Sequence, residues 1–230
     1  AIALALAEAG ANVACHGRDP HPGTTPAAIE ALGRRSAYFP GDIADADGCS
    51  ALIEKTVAEF GSLDILVNNA GIIRRAPATE YSFEDWDQVI SVDLTAVFRL
   101  SQLAARQIFK QATPGKIVNI ASVLSFQGGI LVPAYAAAKG GVVQLTRAFA
   151  NEWAAKGINV NAIAPGYMAT DNTTALRNDA ARSRQILERI PAGRWGDPAD
   201  LAGAAVFLCS RASDYIHGHV LAVDGGWLSR

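Results

Sequence analysis

No apolar stretch in the chain approaches the ~20 residues that a membrane-spanning helix requires. The longest, such as Ala1–Ala7 and Ala202–Cys209, are far shorter, and no basic flank precedes an apolar signal core. A soluble, cytoplasmic protein with no membrane partner is expected. Cysteine is scarce: Cys15, Cys49 and Cys209 are odd in number, lack metal-ligand spacing and sit among apolar or helical residues. They read as reduced, buried thiols, with neither a disulfide framework nor a metal site. Charge of one sign is also missing, since 20 Lys and Arg stand against 22 Asp and Glu for a formal net charge of −2. That balance leaves no electrostatic footprint for nucleic acid. Internal repeats and low-complexity linkers are absent, and 230 residues, 50% of them hydrophobic, suffice for one sizeable core, so a single domain over 1–230 is expected.

What is present is an alternation of periods. A helical segment, Ala1–Ala9, precedes a short apolar strand, Asn12–His16. Strand Ser36–Phe39, helix Ala46–Phe60, strand Leu63–Asn68, helix Glu84–Gln111 and strand Lys116–Ile120 follow. Helix Ala134–Lys156, strand Asn159–Ile163, a polar helical stretch Thr173–Arg189, helix Pro198–Cys209 and strand Val220–Val223 complete the pattern. Short strands separated by helices of ten or more residues need crossover connections, which predicts an α/β fold with a doubly wound parallel sheet and helices on both faces. Gly10, Gly61 and Gly157 close helices, and Asp197-Pro198 opens one. In such a sheet ligands gather at the carboxyl ends of the strands. The chain opens inside its first helix, without a preceding strand or a glycine-rich turn to cradle a pyrophosphate. It therefore reads as an N-terminally shortened form, with a gap between neighbouring strands and weak cofactor binding expected.

At those strand ends the chemistry concentrates. Tyr135 and Lys139 stand at i and i+4 near a helix start, so their side chains are neighbours. A phenol is too weak an acid to serve as a base at neutral pH, but a nearby ammonium stabilises the phenolate and lets Tyr135 exchange a proton with a substrate hydroxyl. Ser122 follows an apolar strand within two residues, and its hydroxyl can donate to a developing alkoxide or ketone oxygen. Taken singly, the first pair suits a solvated helix face and the serine an ordinary cap.

Taken together they do more. Asn68-Asn69-Ala70-Gly71 after a strand, Ser122, Tyr135-x-x-x-Lys139 and Pro165-Gly166 with Thr170, in that order, resemble the short-chain dehydrogenase/reductase family over effectively the whole chain, as far as Val223-Asp-Gly-Gly-Trp227. The resemblance implies a Rossmann-like fold and hydride transfer between a nicotinamide cofactor and a hydroxyl or keto carbon. By it Tyr135 is the acid/base, Lys139 stabilises the phenolate and holds the nicotinamide ribose, and Ser122 positions the substrate oxygen. Asn68, Asn69, Ala70 and Gly71 line the cofactor groove; Asp42 and Ile43 meet the adenine; and Ile163 to Thr170, including Pro165, Gly166 and Met168, lie along the nicotinamide. Asp93 occupies the position where the family usually has a catalytic asparagine, and a carboxylate only accepts where an amide also donates. If the site works as in relatives, Asp93→Asn preserves or raises turnover.

Cofactor choice is divided. Arg18 after the first strand favours a 2′-phosphate and hence NADP, whereas Asp19 could serve the ribose diol of NAD. Arg74, Arg75, Gln127 and Arg194 are candidates to hold a substrate carboxylate. The segments Gly71–Arg75, Ser125–Gly129, Pro165–Thr173 and Pro191–Trp195 resemble the family's 2-deoxy-D-gluconate 3-dehydrogenase (2-dehydro-3-deoxy-D-gluconate 5-dehydrogenase) branch, which tips the expectation slightly towards NAD. Gluconate 5-dehydrogenases and reductases of 3-oxoacyl carrier proteins are the alternatives. Residues 168–190 read as a substrate lid. Apolar positions on the two long helices (Val97, Leu100, Leu103; Val142, Leu145, Phe149, Trp153) exceed one core-facing stripe and suggest a homotetramer.

Overall fold

The alternation of periods yields alternating elements, and the computed structural model describes all residues, 1–230. The first half runs α1 (Ile2–Glu8), β1 (Val13–Gly17), α2 (Thr25–Ala31), β2 (Ser36–Pro40), α3 (Ala46–Phe60) and β3 (Ile65–Asn68). Then come α4 (Phe83–Ile90), one turn of π-helix (Ser91–Thr95), α5 (Ala96–Gln111), β4 (Gly115–Ile120), a 3-10 turn (Val123–Ser125), α6 (Pro133–Trp153) and β5 (Ile158–Pro165). The last part holds α7 (Thr174–Asn178), α8 (Ala180–Arg189), a 3-10 turn (Pro198–Leu201), α9 (Ala202–Cys209) and β6 (Val220–Val223).

Every strand pairing is parallel, in a four-stranded sheet ordered β3-β4-β5-β6 and a two-stranded sheet β1-β2. The two sheets share no ladder: β1 pairs with β2, and β3 pairs with β4. On β4, Ile117 faces α5 and α6 while Val118 and Ile120 face α9, the period of two that a sheet buried on both sides demands. Ile117, Ile158, Val160 and Ile163 are fully buried, each contributing about 1.5–3 kcal/mol through removal from water. These strands are the rigid floor that sets the positions of the residues at their carboxyl ends.

Three expectations need correction. Helix α2 was not anticipated, because Pro20, Pro22, Gly23 and Pro26 crowd the β1–β2 connection; Pro26 in fact sits in its first turn, where a missing N–H costs nothing. The single helix expected over Glu84–Gln111 is interrupted by the π turn, which a continuous apolar pattern conceals. Val97, Leu100, Val142, Phe149 and Trp153 are already buried within the subunit, so they supply no surplus face for assembly. Gly61 adopts φ 86° and donates its N–H to Val57, the left-handed cap expected for it. All three cysteines are free thiols, and burial pushes that of Cys209 up to about 12. No helix is long and apolar enough to cross a membrane.

Candidate active site

Strand β4 delivers Ser122 to the carboxyl edge of the sheet, where it caps the 3-10 turn: its Oγ accepts from the Leu124 N–H at 3.1 Å. Its own proton stays free to be donated. Ser125 ties this turn to α6, accepting from the Ser122 N–H at 3.2 Å and donating to the Lys139 carbonyl at 2.7 Å. From one helical turn away, the buried Lys139 Nζ donates to the Ile120 carbonyl at 2.9 Å and lies 5.5 Å from the centre of the Tyr135 ring. Tyr135 itself is half-buried, packed beside Val89, Ala134 and Ala138. The structure thus brings Ser122, Tyr135 and Lys139 together. Ser125 and the Ile120 carbonyl were not singled out from sequence, although the spacing Ser122-x-x-Ser125 is that of a capping box.

Asp93 joins them from the centre of the π turn, a distortion that recurs at functional sites. It is fully buried; Oδ1 accepts from the Ile72 N–H at 2.8 Å, and Oδ2 lies 3.4 Å from Lys139 Nζ. Gly71 packs so tightly against this pair that a Cβ there would stand 3.0 Å from Asp93 Oδ2 and 3.5 Å from Lys139 Nζ. Burial pushes the Asp93 carboxyl above the usual carboxylate range, with Lys139 and the Ile72 amide opposing. A carboxyl raised in this way stabilises the fold most while protonated, below its unfolded value, and that contribution is lost as pH rises through the folded value. Asp93→Asn removes the titration. The stability of that variant relative to the parent is therefore expected to increase as pH rises above about 4, the ordinary carboxylate value, read as the difference in urea midpoints; a difference that falls with rising pH contradicts the assignment.

The residues expected to line a cofactor divide by exposure. Asn69 and Ala70 are open at the end of β3, whereas Asn68 turns inward, donating to Ser101 at 3.1 Å and to Asn119 at 2.8 Å. Asn68 therefore braces the sheet rather than lining a groove. The side chains of Ile43 and Met168 belong to buried clusters, leaving only their backbones available. Asp42 is exposed and its Oδ1 accepts from the Ala44 N–H. Pro165 at the end of β5 and Gly166 and Thr170 beyond it remain partly accessible. Arg18 is exposed after β1 with no carboxylate in ion-pair range, while the Asp19 carboxylate accepts from the His21 N–H. An unpaired guanidinium, open backbone after β3 and a buried ammonium beside a phenol form a donor set that fits a phosphate-bearing dinucleotide.

Of the proposed carboxylate-binding arginines, two are spent elsewhere. Arg74 pairs with Asp85 at 3.3 Å, and Arg194 makes a two-pronged pair with Asp200 at 2.7 and 3.0 Å. Arg75 reaches across to the Asn172 carbonyl at 2.8 Å, and Gln127 accepts from Arg189 at 3.0 Å. Arg189 was not anticipated. A cavity of about 270 Å³ lies behind Gly166–Met168, lined also by Ile190, Arg194 and Asp224, but neither Ser122, Tyr135 nor Lys139 borders it.

A family model described as enoyl-(acyl carrier protein) reductase matches residues 1–228. A 2-dehydro-3-deoxy-D-gluconate 5-dehydrogenase of Dickeya dadantii is 57% identical over 229 residues, covering 100% of this chain and 90% of the relative. Among solved structures, an Agrobacterium tumefaciens protein with bound NADP, provisionally designated a 2-deoxy-D-gluconate 3-dehydrogenase, superposes with a TM-score of 0.91 at 55% identity, covering 100% of this chain and 91% of that one. A gluconate 5-dehydrogenase of Burkholderia cenocepacia, in complex with NADP and tartrate, gives a TM-score of 0.95 at 41% identity over 100% of this chain and 90% of its own.

Proposed function

Because the chain belongs to the short-chain dehydrogenase/reductase family, we propose that it oxidises or reduces a secondary hydroxyl or keto carbon of a sugar acid of the 2-dehydro-3-deoxy-D-gluconate type. One observation carries this reading: Ser122 and Lys139 are locked into a single unit through Ser125, with the Tyr135 phenol beside the Lys139 ammonium. A bound nicotinamide supplies the acceptor or donor of hydride. Tyr135 Oη takes the proton from the substrate hydroxyl in oxidation and returns it in reduction. Ser122 Oγ–H donates to the same oxygen and holds it against that phenol. Lys139 favours negative charge on the phenol oxygen, and Asp93 positions the Lys139 ammonium.

NADP is the preferred cofactor in this proposal, reversing the slight lean towards NAD. Support comes from the exposed, unpaired Arg18, from the engagement of Asp19 with its own turn, and from the NADP carried by both solved relatives. Asn69, Ala70, Gly71, Pro165, Gly166 and Thr170 would hold the dinucleotide. Residues 168–190 serve as a lid, whose last helix α8, through Ile186, and the following Ile190 rest on Val123 and Trp227. The cytoplasm is the proposed location, and a homotetramer the proposed assembly. For the latter the exposed Phe98 and Phe109 replace the core residues first considered. A carrier-protein substrate is disfavoured, since Asp85 neutralises Arg74, one of the two adjacent arginines that docking would draw on.

Absorbance assays with NADPH and NADH against a panel of keto sugar acids test the reading. NADPH-dependent turnover of at least one acid is expected; inactivity with the whole panel, together with activity on an acyl thioester, would overturn it.

A further inference from the structure

With Arg74 and Arg194 committed to Asp85 and Asp200, the substrate carboxylate of the sugar-acid reading is left with Arg75, which is tied to the Asn172 carbonyl, among the arginines first considered. Arg189, the last residue of α8, is differently placed. Its guanidinium lies over the Trp227 ring at 3.9 Å from the centroid, and one nitrogen donates to Gln127 Oε1 at 3.0 Å. No carboxylate stands within ion-pair range of it. Gln127 lies on the connection from Ser122 to Tyr135. Trp227 packs in one buried cluster with Val123, the residue after Ser122, with Ile186 of α8 and with Ile190 just past its end.

These contacts have a chemical consequence. Stacking on an indole face orients a planar guanidinium without consuming its N–H donors, and five such donors are available in all. The ring beneath is held by packing on both sides, with Tyr167 at 4.6 Å between centroids, so the charge is preorganised. The Gln127 amide nitrogen, its neighbouring oxygen already engaged, offers a second donor alongside. A planar fork beside an amide, unneutralised and bonded to a residue two positions beyond the catalytic turn, suits a carboxylate rather than a neutral hydroxyl.

We propose that Arg189, held on Trp227 and steadied by Gln127, is the anchor for the substrate carboxylate; this rests on the sugar-acid reading and assigns a specificity-determining residue to it. The same two contacts would also occur if Arg189 merely pinned α8 to the Ser122–Tyr135 connection, and the test separates the two roles.

The measurement is kcat/KM for a keto sugar acid and for the neutral ketose with a hydroxymethyl group in place of the carboxylate, in the parent, Arg189→Met and Arg189→Lys. The parent should favour the acid. Arg189→Met should cut that preference by roughly 10- to 100-fold, chiefly through KM for the acid, the scale of one lost charge-assisted hydrogen bond; Arg189→Lys should retain part of it. An undiminished preference in Arg189→Met overturns the proposal, as do equal losses on both substrates or impaired NADPH binding in both variants, which mark a structural pin. A parent enzyme that turns over the ketose as well as the acid instead overturns the sugar-acid reading itself, before Arg189 is reached.

Discussion

Tyr135→Phe is expected to lower turnover by about 10²- to 10⁴-fold, the usual contribution of a positioned acid or base. The substitution deletes one atom. The ring that remains still packs beside Val89, Ala134 and Ala138, so the fold and the affinity for nicotinamide cofactor should persist. Steady-state kinetics in both directions, combined with thermal unfolding and a cofactor titration, isolate the chemical step from any structural effect. Undiminished oxidation of every responsive alcohol by the Phe variant would mean that no phenol transfers the proton.

Lys139→Met is expected to fail in two separable ways. Lys139 is only 3% exposed, and its ammonium serves both the Ile120 carbonyl and the Asp93 carboxylate. Removing it strands a fully buried carboxylate, which costs about 3–5 kcal/mol of stability when one partner of a buried pair is deleted. Turnover should collapse as well, for want of the positive charge beside the phenol. In the double variant Lys139→Met with Asp93→Asn the stranded charge is gone, so most of the stability should return while turnover stays lost. Urea unfolding and initial rates on the four proteins of this cycle provide the check. A single Lys139→Met variant as stable as the parent, or a double variant that regains activity, would refute the coupling between these two side chains.

The pair explains which parts of the site were legible in advance. Ser122 and the Tyr135–Lys139 step were readable because each rests on local geometry: a residue just past an apolar strand, and two residues one helical turn apart. Strands β4 and β6 were readable for the same reason, as apolar runs bounded by turns. The ion pair between Asp93 and Lys139 spans two helices, and no spacing along the chain announces it. Arginine partners are equally hidden. Arg74, Arg75, Arg189 and Arg194 look alike in a sequence, yet they end on a carboxylate, a backbone carbonyl, an indole face and a second carboxylate. In Asn68-Asn69 the alternation of a strand sends the first amide into the sheet and leaves the second outside, a distinction that a motif read as a unit erases. Helix α2 was missed because proline marks both loops and first turns.

The π turn at Ser91–Thr95 sets the phase of everything that follows it on that helix. One residue corresponds to about 100° of rotation. Rewinding the turn into regular α-helix without removing a residue would bring α5 to the sheet out of phase, with Leu100 and Ala104 in the places now held by Ser101 and Ala105. Asn68 would lose its partner on α5 in the same movement. The bulge that tucks Asp93 under Lys139 is thus also the device that dials an apolar face onto the core, so chemistry and packing depend on a single added residue.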